Sequence, residues 1–212
     1  MRINMSKQER KVKKSRLIYG WGINDADYNI SESVKDGDRC YLKICPIYKD
    51  WGSIVQRGFS DKYKLKKPTY IDVTVCEEWK YFSVFRNWVL NIQPNKDWIN
   101  CEPDKDLLIE GNKVYSPDTV IYIPRIVNCF INEQKKNRGK YLLGVHWCNT
   151  HKKFKAQISN PFTKKRDSLG YHCTELEAHL AWKSRKHELA CQLADLQDDN
   201  LVSEILRNKY KI

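Results

Sequence analysis

The residues best suited to chemistry on a phosphodiester stand between Asp104 and Pro117, in the stretch DKDLLIEGNKVYSP. Two carboxylates, Asp104 and Asp106, flank Lys105, and a Gly111-Asn112 pair follows. Carboxylate oxygens are the hard donors that Mg²⁺ selects, and a lysine beside them can neutralise charge developing on a phosphate. The combination suits part of a metal-dependent nuclease site. It suits a β-hairpin equally well, because Gly-Asn is a good turn pair for backbone reasons alone. The five histidines are His146, His151, His172, His179 and His187. No imidazole, the usual general base at neutral pH, therefore precedes residue 146.

The elements that must hold these residues follow from hydrophobic spacing. PIYKDWGSIVQRGFS predicts a helix, with Ile47, Trp51, Ile54, Val55 and Phe59 on one side. KLKKPTYIDVTV is broken by Pro68 and then reads as extended through Ile71, Val73 and Val75. EEWKYFSVFRNWVLNI predicts a second helix, with acids in its first turn and a broad face of Trp79, Phe82, Phe85, Trp88 and Val89. Such a stripe is core rather than a base-stacking surface. The turn-rich GINDADYNIS carries one apparent core residue, Tyr28. Leu107–Ile109 and Val120–Ile123 read as two short strands linked through Gly111-Asn112, and PRIVNCFINE as a helix opening at Pro124.

Beyond residue 134 the pattern changes. KYLLGVHWC and KFKAQIS read as strands joined by the turn NTHK, and SLGYHC as a third strand. TELEAHLAWKSRKHELACQLADLQ reads as a long helix with a Thr174/Glu177 capping box and an inner stripe of Ala178, Trp182, Leu189, Leu193 and Leu196. The expected fold class is α+β: a helical half containing a ββα unit, then a three-stranded antiparallel sheet packed on a long helix.

Charge points to a partner. Lys and Arg number 38 against 26 acids, a net charge of +12. Residues 1–16 hold seven of these bases and one acid, an arm that could lie along a phosphate backbone. From Gln134 to Arg166 there are ten bases and no acid. A small sheet backed by one helix leaves its other face open, and here that face would be basic and partly aromatic. The partner this predicts is double-stranded DNA, whose major groove admits a sheet. The candidate DNA-binding residues are Arg138, Lys140, His146, Trp147, Lys152, Lys153, Lys155, Lys164, Lys165 and Arg166.

Other classes fall away. Apolar runs are short of the roughly 18–20 residues that a membrane span needs, so no membrane partner is expected. The basic N-terminus lacks a following apolar segment, which argues against a secretory signal. The eight cysteines include no C-x-x-C pair, so no zinc is expected, and they read as reduced thiols in a cytoplasmic protein.

Two resemblances rest on particular residues. Gly144-Val145, Phe154-x-Ala156-x-Ile158, Leu169-Gly170-Tyr171 and Thr174-x-x-Glu177-Ala178 resemble the ethylene-response-factor (APETALA-type) DNA-binding domain of plants and of phage and mobile-element endonucleases, over about residues 138–187. YKDWGSIVQRGFS, PTYIDVTVCEEWKYFSVFRNW and DKDLLIEGNKVYSPDTVIYIPRIVN resemble phage proteins described as HNH-like homing endonucleases. That resemblance implies a strand–loop–strand–helix unit binding one divalent metal, with a His as general base, an Asn orienting it and a further His or Asn completing the site. Asp104 and Asp106 fall where the His motif would lie, Asn112 at the middle Asn and Asn128 at the helix position. The family's histidines are absent.

Three readings follow. The first is a DNA-binding protein, sequence-tolerant or site-specific, on a catalytically degenerate nuclease scaffold. The second is an endonuclease in which Asp104 and Asp106 hold Mg²⁺, Lys105 neutralises charge, and Asn112 and Asn128 complete the catalytic set. The third is a protein-binding inhibitor or scaffold of phage origin. Each residue also has a plain structural role open to it: a turn for Asn112, a cap for Asp104, an ion pair for Asp106, a backbone bond for Asn128. The expected organisation is a basic arm over 1–20, an HNH-like domain over 21–133, an APETALA-type domain over 134–196 and a tail over 197–212.

Overall fold

The computed structural model describes residues 17–95, 97–132 and 140–211. Most of the basic arm, with Lys135, Lys136 and Arg138, lies outside the described residues. The chain divides into two units, one of residues up to Gln93 plus Gly111–Thr119, the other of Pro94–Glu110 plus Val120 onward. The division thus runs through the strand–loop–strand stretch rather than between 133 and 134. Both units mix helix and sheet, so the fold class is α+β.

In the first unit, Ser31–Asp36 (β1) and Arg39–Ile44 (β2) pair antiparallel around the two-residue turn Gly37-Asp38, and the φ of +57° at Gly37 is the left-handed geometry that the first position of such a turn needs. This hairpin was not among the expected strands. Pro46 opens α1 (Pro46–Phe59), and Ile47, Trp51, Ile54 and Val55 are buried as their spacing predicts. Ser60 ends that helix and caps α2 (Asp61–Lys66), its hydroxyl accepting from Tyr63 N. The extended run expected through Ile71 shrinks to β3 (Thr74–Val75). Lys64 Nζ donates to the carbonyls of Ile71 (3.1 Å) and Val73 (3.3 Å), which holds that segment as a turn.

The second expected helix is interrupted. A 3₁₀ turn covers Glu77–Lys80, Tyr81 is extended, and α3 (Phe82–Asn87) continues as a π turn over Trp88–Ile92. The cause lies far away in sequence. Phe82 N donates to Ile23 O (3.1 Å), and the Asp25 carboxylate accepts from Ser83 N (2.8 Å) and Ser83 Oγ, which restarts the helix there. Its aromatic face is core as expected: Trp79, Phe82, Phe85 and Trp88 are buried, with Trp79 edge-on to Phe85 at 4.8 Å. Tyr28, by contrast, is exposed, with Arg86 over its ring.

In the second unit, β4 (Cys101–Asp104) pairs antiparallel with β6 (Ile121–Pro124). The strand therefore ends at Asp104 and does not occupy Leu107–Ile109. Gly111-Asn112 is not the turn of a hairpin. It leads into β5 (Val114–Tyr115), which pairs parallel with β3 in the first unit. The helix α4 (Arg125–Ile131) begins one residue after Pro124, which stands at its N-cap position with no side-chain cap bond. Then β7 (Val145–Cys148), β8 (Lys153–Ser159) and β9 (Arg166–His172) form a three-stranded antiparallel sheet in that order. The long helix α5 (Glu175–Ala194) packs on the sheet, and its Thr174/Glu177 capping box is present.

The stretch expected as a tail is instead α6 (Asn200–Lys209), capped by Asp199 and packed on α5 through Val202 and Leu206. Leu196, expected in the inner stripe, is exposed because α5 ends at Ala194. The core of this unit joins Leu107, Ile121, Ile123, Val127 and Phe130 to Ile158, Trp182, Leu189, Leu193, Val202, Leu206 and Tyr210. Within it lies one lysine, Lys186, only 6% exposed. Its Nζ donates to Phe130 O (2.6 Å) and sits 3.7 Å from the Phe130 ring centroid and 4.9 Å from that of Tyr210. A carbonyl in the last turn of α4 has no intrahelical partner and carries the negative end of the helix dipole, so a cation stabilises that terminus. No helix among the described residues is long and apolar enough to cross a membrane.

Candidate nucleic-acid interface

The strand register sorts the basic residues onto faces. Val145 pairs with Ala156 and Trp147 with Phe154, and directly opposed residues share a face. Ala156 and Ile158 are buried, so this row faces α5. Trp147, expected to face DNA, therefore lies on the helix side, with its ring 4.9 Å from that of Phe154. His146 pairs with Lys155, and Lys155 in turn with Tyr171, giving one row across all three strands on the opposite face. Lys153, Gln157, Ser159, Ser168 and Arg166 belong to the same face.

Tyr171 was missed in the sequence for a physical reason. Strict alternation from Arg166 places residue 171 towards the helix. A register shift between Lys155 and Gln157, with Gly170 at φ +96° opposite it, flips the end of β9 outward. An isolated glycine in a strand was the available signal. The ring of His151 stacks on Tyr171 at 4.0 Å and 25°, and Lys155 Nζ lies 5.8 Å from the Tyr171 centroid. The outer face thus carries aromatic as well as cationic groups.

Lys152 sits in the β7–β8 turn with φ +49°, and Lys164 in the β8–β9 turn with φ +57°, so these lysines stand at opposite ends of the sheet. Asn160 builds the second turn: its Oδ1 accepts from Phe162 N (2.9 Å) and Thr163 N (3.2 Å). Lys165 is exposed in that turn, and Lys140 is exposed on the approach to β7 rather than on a strand. Arg138 is outside the described residues. The first acid past the basic run, Asp167, pairs with Ile158 on the helix side. There Arg185 and Asn160 (each 3.0 Å) hold its carboxyl below the usual range. It does not neutralise the outer row.

The carboxylate–asparagine set behaves differently. Asp104 is buried, and its Oδ1 accepts from the backbone N–H of Asp106 (2.9 Å) and Leu107 (2.7 Å). Burial raises its pKa, and those two bonds oppose the rise. Asp106 is paired with Lys105 at 2.7 Å. Asn128 donates to Glu102 Oε2 (2.7 Å) and accepts from Asn132 (2.6 Å). Asn112, which belongs to the first unit, closes its own turn with Val114 in both directions. Among the described residues no three His, Cys, Asp or Glu side chains are grouped so as to hold a metal ion. Each of these side chains has a bonding partner within its own unit. The bonds of Asp104 are those of a cap that ends β4 and turns the chain towards Leu107. Asp104→Ala is accordingly expected to cost about 1–2 kcal/mol in urea unfolding, while Asp104→Asn, which keeps the acceptor, costs far less. Equal losses in the two variants would contradict the capping role.

No family model, no curated protein and no solved structure matches the chain.

Proposed function

We propose that this protein binds double-stranded DNA through the open face of the β7–β8–β9 sheet, on a nuclease-like scaffold that has lost its catalytic set. The observation that carries this reading is the acid-free outer face: Lys153, Lys155 and Arg166 share it with His146 and Tyr171, and Asp167 is turned away from it. Exposed lysines in both turns extend the charge past each end of the strands. Cations at both ends of the strands suit contacts to phosphates on both sides of a groove. The resemblance of residues 138–187 to an APETALA-type domain supports the same partner. The HNH-like resemblance supports the origin of the scaffold. It does not support cleavage, since no histidine precedes His146 and the carboxylates are bonded locally.

The test is a salt titration of duplex binding by fluorescence anisotropy. If about five phosphates are neutralised, affinity falls by about 10²–10³-fold between 50 and 200 mM salt. An affinity that stays flat over that range refutes the proposal. Plasmid incubated with Mg²⁺ or Mn²⁺ should remain uncut; cutting that disappears in Asp106→Ala would restore the endonuclease reading.

A further inference from the structure

The basic face also carries a thiol. Cys148 closes β7 opposite Lys153 and two residues after His146, which puts it on the outer side of the sheet. The turn that follows brings His151 back to it, with Cys148 Sγ 3.3 Å from His151 Nδ1. The imidazole is fixed there by its stack on Tyr171. The N–H and ring of His151, helped by the N–H of Thr150, hold the Cys148 thiol below the usual thiol range. Cys40, Cys129 and Cys173 are more exposed, and all eight cysteines are free. Exposure alone therefore does not single out Cys148, nor does an imidazole, since Cys191 Sγ lies 3.8 Å from His187 Nε2; Cys148 combines an imidazole at 3.3 Å with a cation, Lys153, opposite it on the outer face.

We infer that Cys148 is a nucleophilic modification site, activated by His151, and that the ligand it takes is a small anionic disulfide of the glutathione type. Lys153 and Lys155 supply the attraction for the carboxylates of such a molecule. In the reaction, the Cys148 proton passes to His151 Nδ1 and Sγ attacks one sulfur of the disulfide. A new S–S bond forms as the old one breaks, and the departing thiolate takes up the proton. Cys148 is oxidised and half of the disulfide is reduced, so no other oxidant enters. The product places a net negative tripeptide over the cations of the outer face. Its effect on DNA binding rests on the proposed function; the reactivity of the thiol does not.

The experiment treats the reduced full chain with glutathione disulfide at pH 6.5, quenches with acid and maps adducts by peptide mass. Cys148 should react about tenfold or more faster than Cys40, Cys129 or Cys173. The pH–rate midpoint for alkylation of the unmutated chain should be lower at Cys148 than at Cys173. His151→Ala should bring the Cys148 rate down to that of the others. Equal rates at all four cysteines, or no effect of His151→Ala, overturns the inference. Cystamine, a cationic disulfide, should react more slowly than glutathione disulfide at low salt; the reverse order overturns the anionic choice of ligand. The adduct should weaken duplex binding, dithiothreitol should restore it, and Cys148→Ala should be insensitive to the disulfide. If Cys148 is modified yet binding of a competent protein is unmoved, the regulatory consequence is wrong. If the unmodified protein binds no DNA at all, the proposed function fails and the activated thiol stands.

Discussion

Gly144→Ala is expected to destabilise the second unit by about 2–5 kcal/mol, the sum of a left-handed backbone for a residue with a Cβ and an overpacked contact. Gly144 has φ +77°, and a Cβ built on it would overlap Cδ1 and Cγ of Trp182 and come within 2.6 Å of Nε1. Trp182 cannot step aside easily, because it is buried in the core and its ring stacks against His179 at 5.6 Å. His179 is itself anchored by a bond to Leu143 O (3.0 Å). Gly111 provides the comparison: its φ is +74°, yet nothing lies within 4 Å of its Cβ position. Gly111→Ala should therefore lose only the conformational part, about 1 kcal/mol. Thermal or urea unfolding of the two variants separates backbone strain from collision. Similar losses in both would show that Trp182 yields at little cost.

The second large effect concerns binding. Replacing Lys153, Lys155 and Arg166 together by Ala removes the three side chains with permanent charge from the strand positions of the outer face. If each neutralises one phosphate, the slope of log affinity against log salt becomes shallower by about 0.9 per residue, and affinity at 0.1 M salt falls on the order of 10²-fold. The loss should be similar for unrelated duplexes, as expected when phosphates rather than bases are touched. None of the three carries a burial role in the core, so unfolding should be little changed. Unchanged duplex affinity in this triple variant would move the binding surface elsewhere on the molecule.

The parts of the fold legible in the sequence are those whose partners are close along the chain. The buried stripe of α1, the alternation of Lys153–Ser159 and the capping box at Thr174 and Glu177 are all local patterns, and all three stand in the structure. The break at Tyr81 was illegible because its cause is Asp25, more than fifty residues earlier. The hairpin expected around Gly111-Asn112 failed for a related reason: Val114 finds its partner at Thr74, a parallel pairing that no turn signal announces. The β1–β2 hairpin carried its Gly37-Asp38 signal, but both of its faces are largely exposed and show no apolar alternation. On the sheet, the outward placement of Lys153, Lys155 and Arg166 followed from period two. Trp147 did not, because an aromatic residue on an edge strand is equally compatible with either face until the register is known.

The interleaving of the two units has a consequence for proteolysis. The chain passes from one unit to the other after Gln93, returns after Glu110 and leaves again after Thr119. Whichever of these crossings a protease severs, at least one fragment carries residues that are folded into the other unit. A single nick thus leaves the pieces joined by β3 with β5 or by β4 with β6, and they would part only under denaturant. A fragment begun near residue 134 inherits the opposite defect, since it omits Ile121, Ile123, Val127 and Phe130 and leaves the inner side of α5 and the Lys186 ammonium open to water.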